Sequence, residues 1–343
     1  MIMITIDGII YNLQSFGGIS VYFNELIQGM VKSNYQAEIL LYKNKEFEFD
    51  TSDLKLQYRK PRILERYRNV SDIKTRVLHS SYYRVHKSPN LNVKNVTTVH
   101  DFTYEKYRGG MSKFIHSLQK YHAIKNSDIV ICISNNTARD LLKYCPISED
   151  KIRVIYNGVS PSYKHISNMS DMRVNNSVLF VGAREGYKNF VLAVKAVGKL
   201  HGLKLTIVGG GSLKKYEREL LEKYLKNRYE HFTFLSNEDL NIQYNTAYAL
   251  VYPSSYEGFG IPVLEAMQAG CPVICANTSS LPEVGGNAPI YIDDINEFTL
   301  KEALELVNLK RNVMIERGLL QAQKFSWSKC VNETIKVYNE LNI

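Results

Sequence analysis

Short apolar runs alternate with amphipathic runs along this chain, and the alternation is the feature that most limits its fold. Within the amphipathic runs, apolar residues recur every three to four positions, as they do along one face of a helix. In the first half the strand-like runs are 2–7, 37–42, 95–101, 128–134 and 152–158, and the helical runs are 20–32, 112–126 and 135–144. Strands that alternate with helices predict an α/β fold with a parallel sheet covered on both faces.

The pattern stops at a polar segment and then restarts, which predicts a second domain. Residues 159–177 contain Pro161 and show no sustained period, as expected of a linker. Further strand-like runs follow at 177–182, 203–210, 232–235, 248–253, 272–277 and 289–293, and helical runs at 189–200, 213–227, 237–246, 261–269 and 296–308. A length of 343 residues also suits two domains.

We therefore expect two doubly wound, Rossmann-like parallel-sheet domains with a cleft between them, at the carboxyl ends of the strands. The predicted boundaries are a first domain at 1–160, a linker at 161–176, a second domain at 177–324 and a closing helix at 325–343 that packs on the first domain.

Composition argues against several classes of protein. The hydrophobic content of 45% and the charged content of 22% are those of a globular protein, not of a disordered one. No apolar run reaches the ~18 residues of a membrane span, and the first residues do not resemble a signal peptide. The five cysteines include no C-x-x-C and the histidines no H-E-x-x-H, so we expect reduced thiols, a cytoplasmic protein and no metal site.

The net charge of +9 is concentrated in one segment. Tyr58 to Lys87 contains nine basic residues and two acids, Glu65 and Asp72, so nine minus two gives +7 of the total. A solvated basic face is one interpretation. The interleaved apolar and aromatic residues favour an anionic membrane surface, at the inner face of the cytoplasmic membrane, or a phosphorylated lipid. No nucleic-acid motif accompanies the segment, so nucleic acid is not an expected partner.

A glycine-rich turn and the helix after it carry two acids, Glu257 and Glu265. Glycines loosen the turn, a proline suits the first helical turn, and Gly270 can end the helix. The amides of about Gly258 to Val263 are therefore expected to form an exposed helix N-terminus, which favours anions. Ionised carboxylates accept hydrogen bonds from diols. An anion flanked by hydroxyl groups describes a sugar nucleotide, with one glutamate on the sugar and the other on the ribose.

These motifs resemble those of the retaining glycosyltransferases of family 4, which have the GT-B fold. The resemblance covers nearly the whole chain, and it is closest to bacterial mannosyltransferase-like enzymes of O-antigen, capsule and exopolysaccharide assembly. It rests on FGGISVYFNEL (16–26), TTVHDF (97–102), VIYNGV (154–159), FVGAREGYKN (180–189), YEGFGIPVLEAMQAGCPV (256–273) and FSWSKC (325–330). Three positions, Ala183, Gly186 and Ile261, depart from the common family pattern, which weakens any donor assignment.

The resemblance implies a role for each matching residue in the second domain, which would bind the donor. Arg184 and Lys188 would clamp the diphosphate in place of a metal, since no D-x-D occurs, and no cofactor is expected. Glu257 would bind the donor sugar and Glu265 the ribose. Further donor contacts are expected from Asn189, from Gly209 beside the nucleotide, and from the turn Gly258, Phe259, Gly260 and Ile261. Solvated loop charges are the alternative for each charged residue.

In the first domain, which would bind the acceptor, the resemblance places His100 on the donor sugar and Asp101 in a structural role or near the acceptor. Gly17 and Gly18 would let backbone approach a phosphate or the acceptor. A packed histidine and a simple tight turn are the alternatives.

The implied reaction moves a hexose, with GDP-mannose favoured as donor, to a glycan or polyprenyl-diphosphate-linked acceptor with retention of configuration. UDP- and dTDP-sugars remain alternative donors. A sugar-nucleotide epimerase and a non-catalytic sugar-nucleotide-binding subunit are the competing functions.

Overall fold

The computed structural model describes residues 4–14, 17–47, 49–87, 92–166 and 175–341. The chain divides into two compact units, Met1–Gly158 with Trp327–Ile343, and Val159–Ser326. The described parts of the predicted linker belong to the second unit, and its residues 167–174 lie outside the described residues, as do residues 2–3 of the first predicted strand, Phe16 of the first family motif and residues 342–343 of the closing helix.

The described residues of the first unit contain a sheet of seven parallel strands. They are β1 (Ile4–Asp7), β2 (Ala37–Leu41), β3 (Lys55–Tyr58), β4 (Val77–Ser80), β5 (Lys94–Val99), β6 (Ile129–Cys132) and β7 (Ile152–Val154). Their order in the sheet is β3-β2-β1-β4-β5-β6-β7. Ile6 of β1 lies between Ile39 of β2 and His79 of β4. The direction of chain progression therefore reverses between β1 and β4.

Helices cover this sheet. They are α1 (Ile10–Leu13), α2 (Gly18–Lys32), α3 (Thr103–Tyr107), α4 (Gly110–Lys125) and α5 (Asn135–Tyr144). Five side chains of α2 are fully buried at helical spacing, namely Tyr22, Phe23, Leu26, Ile27 and Met30. They form the main core of the unit with the inward residues of β1 and β2.

The described residues of the second unit contain a sheet of six parallel strands. They are β8 (Ser177–Val181), β9 (Lys204–Val208), β10 (Tyr229–Phe232), β11 (Ala249–Tyr252), β12 (Val273–Ala276) and β13 (Ile290–Ile292). The order β10-β9-β8-β11-β12-β13 is that of a Rossmann sheet, with its reversal between β8 and β11. Ligands of such sheets bind beyond the carboxyl ends of the strands at this reversal.

The helices of the second unit end or begin at recognisable caps. They are α6 (Phe190–Gly198), α7 (Lys215–Tyr224), α8 (Asn237–Thr246), α9 (Ile261–Gln268), α10 (Leu281–Gly285) and α11 (Glu297–Ala322). Ser236 caps α8 by accepting the Asp239 N–H, and Asn296 caps α11. Gly270, with φ at +75°, follows α9.

The last helix, α12 (Trp327–Leu341), packs on α2 of the first unit. A Cβ at Gly29 of α2 would lie 2.5 Å from Val331 of α12, so only glycine lets the two helices come this close. At the far end the Tyr35 hydroxyl donates to Asn339 over 3.1 Å. Tyr338 is fully buried against His79.

The predicted fold class, two doubly wound parallel-sheet domains, is confirmed. Several details differ, among them the short helices α1, α3 and α10, which the sequence does not predict. Strands β3 and β4 lie inside or at the edge of the basic segment and were not expected, because VLHS offers too short and polar a signal. The predicted strand 232–235 is wrong, since β10 ends at Phe232. Helix α11 continues to Ala322 instead of ending at 308. No helix in the described ranges is long and apolar enough to cross a membrane.

Candidate functional site

The loops after β8 and β11 bring Lys188 and Glu257 together at the reversal point of the second sheet. Lys188 Nζ lies 2.5 Å from Glu257 Oε1 and 3.2 Å from the Tyr252 hydroxyl. The Lys188 and Glu257 side chains are 13% and 11% exposed, so both are largely but not fully shielded from solvent. A neighbouring cation and carboxylate that remain partly exposed can receive a ligand that carries both phosphate and hydroxyl groups.

Asn189 holds these two loops in place. Its side-chain amide donates to the Pro253 carbonyl and to Ser255 Oγ, both over 2.8 Å. The Ser255 N–H donates to the Tyr187 carbonyl over 2.8 Å. The backbone of Asn189 is left-handed, with φ at +55°, a conformation that asparagine tolerates better than most residues. Both amide hydrogens of the side chain are thus used within the protein.

Arg184 faces the protein interior. Its side chain is 3% exposed, and Nε donates to Glu217 Oε1 over 3.0 Å. Its Nη1 donates to the Gly209 carbonyl over 2.6 Å, and Nη2 lies between 3.0 and 3.2 Å from the carbonyls of Gly210, Gly211 and Ser212. In this arrangement each of the three guanidinium nitrogens donates to a protein acceptor, so the predicted direct clamp on a diphosphate would compete with these bonds.

The three glycines after β9 are needed for this arrangement. Gly209, Gly210 and Gly211 have φ values of +89°, +73° and +70°, a left-handed turn that side chains resist. A Cβ at Gly210 would lie 2.6 Å from Arg184 Nη1. The turn therefore directs its carbonyl oxygens onto the guanidinium group, and the loop and Arg184 form one rigid unit.

The start of α9 is less open than the sequence suggested. Gly258, Phe259 and Gly260 are buried, and only Ile261 and Pro262 are partly exposed. Phe259 packs edge-on against Phe325 at 5.9 Å. The expected exposure of the whole stretch from Gly258 is therefore wrong, because the turn packs inward.

Serine side chains from the loop after β12 fix this turn. Ser280 Oγ lies 2.9 Å from the carbonyls of Glu257 and Phe259, and Ser279 Oγ accepts the Glu257 N–H over 2.9 Å. Gly260 has φ at +103°, and a Cβ there would lie 2.7 Å from Leu281. These contacts set the position of the Glu257 carboxylate.

Glu265 lies on α9 and is only partly exposed, and tyrosine hydroxyl groups lie beside its carboxyl group. The hydroxyl of the buried Tyr244 donates to Glu265 Oε2 over 3.0 Å. Burial raises the pKa of Glu265 to about 7, although hydrogen bonds from Tyr244 and Tyr163 act in the opposite direction. The carboxyl group is thus poised to change charge near neutral pH.

In the first unit His100 follows β5 directly and is 9% exposed. Its ring packs edge-on against Tyr22 at 5.2 Å, and its Nε2 is buried with no hydrogen-bond partner among the described residues. Burial lowers the pKa of His100 to about 4, so the imidazole is neutral at physiological pH. A neutral ring with an unused nitrogen can bond one hydroxyl group.

Asp101 and a buried lysine shape the loop after His100. The Asp101 carboxylate accepts the Thr103 N–H over 2.8 Å at the start of α3. Lys120, which is fully buried on α4, donates to the Asp101 carbonyl and pairs with Glu105 at 3.2 Å. Lys120 was not singled out in the sequence, since one lysine in a basic helix gives no signal of burial.

Gly17 and Gly18 begin α2. Gly17 is extended, with φ at 165°, and its carbonyl accepts the Ser20 hydroxyl over 2.9 Å. A Cβ at Gly17 would lie 2.6 Å from Gln14, whereas one at Gly18 would meet no described atom within 4 Å. Gly18 is therefore the position with open space beside its backbone.

The basic segment Tyr58 to Lys87 is not uniformly a surface. Arg84 is 3% exposed and pairs with Asp7 at 3.0 Å and with Glu65 at 2.5 Å, so it belongs to the interior. Arg62 also pairs with Glu65. The exposed cations of the segment are Lys60, Arg62, Arg68, Lys74, Arg76 and Lys87. A surface charge remains, but it is smaller than the sequence count.

Two family models match the chain. Residues 16–163 match the model described as Glycosyltransferase Family 4, and residues 173–312 match that described as Glycosyl transferases group 1. Together the two matches span most of the chain and include the loops described above.

Among known proteins, the chain is 27% identical over 321 residues to O-antigen chain mannosyltransferase B of Escherichia coli, which covers 82% of this chain and 81% of that protein. The fold of the present chain is similar to that of sucrose-phosphate synthase of Thermosynechococcus elongatus, with a TM-score of 0.80 at 16% identity over 99% of each chain. HepE of Anabaena in complex with UDP-glucose aligns with a TM-score of 0.75 at 14% identity, over 99% of this chain and 100% of that one.

Proposed function

Because the chain belongs to the glycosyltransferases of group 1 and family 4 and has the GT-B fold, as its motifs indicated, we propose that it is a retaining, metal-independent hexosyltransferase. The proposed donor is a nucleotide-diphosphate sugar, with GDP-mannose favoured, and the acceptor a lipid-linked glycan of a cell-surface polysaccharide. The E. coli relative, by name an O-antigen mannosyltransferase, supports this choice. The observation that carries the proposal is the partly open Lys188–Glu257 pair at the reversal point of the second sheet.

Lys188 is the cation that we assign to the departing diphosphate. In the absence of ligand its charge is balanced by Glu257 at 2.5 Å. A diphosphate brings two negative charges and attracts the ammonium group more strongly than one carboxylate does. A fixed cation in a shielded pocket stabilises the charge that develops on the leaving group. Glu257 is then free to accept hydrogen bonds from the donor sugar.

Arg184 supports this step indirectly in our proposal. Because its guanidinium group holds the Gly209–Ser212 turn, it fixes the backbone beside which the nucleotide would pass. Asn189 likewise holds the loop after β8 against the loop after β11. The amide of Ile261, at the start of α9, is proposed to assist with the phosphate charge.

Glu265 is proposed to accept the ribose hydroxyls. Its carboxylate already takes hydrogen bonds from Tyr244 and Tyr163, which leaves further lone pairs for a diol. His100, as a neutral ring with an unused Nε2, is proposed to bond a hydroxyl of the donor sugar. Gly17 and Gly18 are proposed to let backbone approach a phosphate or the acceptor, with Asp101 shaping the loop nearby.

The proposed mechanism retains configuration on one face of the sugar. The bond from the anomeric carbon to the phosphate oxygen breaks while the acceptor hydroxyl attacks from the same side, and the leaving phosphate takes the acceptor proton. Glu257 pairs with Lys188 and is not assigned as a nucleophile. A covalent glycosyl-enzyme trapped on Glu257 would contradict this mechanism.

A UDP-sugar is the second candidate donor, since HepE of Anabaena binds UDP-glucose in a similar fold. A thermal-shift panel of GDP-, UDP-, dTDP- and ADP-sugars tests the assignment, because ligand at 100 times its dissociation constant stabilises by about 2.7 kcal/mol. We expect the largest shift from GDP-mannose. Interconversion of a nucleotide sugar without acceptor would instead indicate an epimerase. Absence of turnover by the isolated chain would indicate a non-catalytic binding subunit.

The lipid-linked acceptor would bring the protein to the cytoplasmic face of a membrane. We propose that the exposed cations of the segment Tyr58 to Lys87 contribute to this contact by attraction to anionic lipid headgroups. Reversal of Lys60, Lys74 and Arg76 to glutamate should then weaken binding to anionic vesicles, and unchanged binding would remove the segment from the proposal.

A further inference from the structure

One face of α4 is apolar and exposed. Met111, Phe114, Ile115 and Leu118 are 70%, 58%, 42% and 53% exposed. Their spacing places them in one stripe along the helix. The buried residues of α4, His116, Lys120, Ala123 and Ile124, fall on the opposite side. The helix thus packs on the unit with one face and presents large apolar side chains with the other.

The charges around this stripe have one sign. Residues 106–127 contain no acid. Of their cations, Arg108, Lys113 and Lys125 are at least partly exposed, whereas Lys120 is buried and Lys106 pairs with Asp140 at 3.1 Å. Two acids of the adjoining structure are turned inward, because Glu105 pairs with Lys120 and Glu65 pairs with Arg62 and Arg84. The exposed side of α4 therefore combines apolar and cationic groups.

A groove continues the stripe onto the basic segment. It has a volume of about 680 Å³, and its walls include Tyr67, Arg68, Ile115, Leu118, His122 and Lys125. Gln119 of α4 donates to the Arg66 carbonyl, which fixes the two walls together. Next to it, Arg68 Nε donates to the carbonyl of Ile63, whose side chain is 84% exposed. We call the stripe and this groove the α4 surface.

Helix α11 shows that exposed apolar residues alone do not distinguish this surface. Leu306, Leu309, Val313 and Leu320 are 39%, 82%, 47% and 57% exposed, at helical spacing. Exposed acids accompany them, among them Glu302, Glu305 and Glu316. Exposed Lys310 and Arg317 lie on the same helix as these acids. The two helices therefore expose similar apolar side chains in different electrostatic settings, cationic on α4 and of mixed sign on α11.

We propose that the α4 surface docks on an anionic lipid bilayer. The apolar stripe enters the boundary between headgroups and acyl chains, while Arg68 and Lys125 in the groove and Lys113 on the helix meet lipid phosphates. The helix is already folded, so insertion carries no cost of helix formation. The inference goes beyond the charge attraction in the proposed function, since it assigns insertion to a particular helix and needs neither donor nor turnover.

Sedimentation with phosphatidylcholine vesicles, with and without phosphatidylglycerol, tests the inference on the full chain. The double variant Phe114→Gln and Leu118→Gln should lower the partition coefficient for phosphatidylglycerol vesicles about thirtyfold, because two half-exposed large side chains no longer insert. Leu309→Gln with Leu320→Gln on α11 is the matched control and should leave it unchanged. Omission of phosphatidylglycerol should weaken wild-type binding strongly.

A fluorescence reporter gives a measurement that does not depend on loss of binding. The chain has one tryptophan, Trp327, which is 7% exposed and supplies a constant background. In Phe114→Trp the emission should shift to the blue on addition of phosphatidylglycerol vesicles, and in Leu309→Trp it should not.

Binding of the wild type to phosphatidylglycerol vesicles, with a blue shift in Phe114→Trp and none in Leu309→Trp, supports the inference. Three results would overturn it, namely no wild-type binding to phosphatidylglycerol vesicles, equal binding of the α4 and α11 variants, and a blue shift of Phe114→Trp without vesicles together with a dimer in light scattering. The last result would assign the surface to self-association. Since no sugar nucleotide is present, these outcomes are independent of the proposed reaction.

Discussion

Arg184 has two candidate roles: it holds the Gly209–Ser212 turn together with its ion pair to Glu217, or it binds the diphosphate directly. The variant Arg184→Met distinguishes between them. Both side chains are almost fully buried, at 3% and 1% exposure. Removal of one partner of such a pair leaves a buried charge and costs about 3 to 5 kcal/mol. In this variant the Glu217 carboxylate still accepts the Lys214 N–H over 2.7 Å. We therefore expect the free energy of unfolding to fall by an amount near the lower end of this range, about 3 kcal/mol.

Urea unfolding followed by circular dichroism measures this loss. With a slope of about 2 kcal/mol/M, the transition of the second unit should move down by about 1.5 M. Trp327 lies in the first unit, so its fluorescence reports that unit and serves as an internal reference. The double variant Arg184→Met with Glu217→Gln should recover about half of the loss, since no charge is then left buried.

Arg184→Lys is the control that separates fixation of the turn from direct binding. Lysine keeps the charge but cannot reach Glu217 and four carbonyl groups at once, so we expect it to be nearly as unstable as Arg184→Met. A midpoint shift below about 0.3 M in Arg184→Met, with a large loss of donor affinity that Arg184→Lys restores, would refute the reasoning and favour the direct diphosphate clamp.

Three further predictions concern single residues. The affinity for the nucleotide sugar should rise with pH through about 7, because only ionised Glu265 accepts both ribose hydroxyls, and at pH 6 it should be about tenfold below its value at high pH. Calorimetric titrations should show this dependence, and Glu265→Gln should remove it. Gly210→Ala should lower the free energy of unfolding of the second unit in urea by more than about 1 kcal/mol, since φ at Gly210 is +73° and Arg184 lies 2.6 Å from the new Cβ. Gly202→Ala, which adds a methyl group in open space among the described residues, should change this free energy by less than about 0.5 kcal/mol. His100→Gln should lower kcat without changing the pH–rate profile above pH 5, because the His100 pKa of about 4 keeps the ring neutral there; loss of an inflection near pH 6.5 would contradict this.

The sequence predicted the elements whose local signals agree with one another. Helix α9 has a glycine-rich entry, a proline in its first turn and a glycine after its end, and the structure begins and ends it within one residue of the prediction. The meeting of Lys188 and Glu257 also follows from topology, since both loops leave the carboxyl ends of neighbouring strands.

Features that depend on partners far away in the chain could not be predicted in this way. The motif places Arg184 beside Lys188, but only the fold brings Glu217 and the glycine turn around it. Strand β4 is central to its sheet, yet the sequence VLHS reads as part of a charged segment. The burial of Arg84 likewise depends on Asp7, 77 residues away along the chain.

The rate of sugar transfer in the presence of a chelator, measured for wild type, Lys188→Met and Lys188→Arg, tests the central claim that a lysine carries the charge of the leaving diphosphate. We expect full wild-type activity in EDTA, a fall of kcat by about a hundredfold or more in Lys188→Met, and partial rescue by Lys188→Arg. Loss of activity in EDTA that manganese restores, together with an unchanged rate in Lys188→Met, would contradict the account.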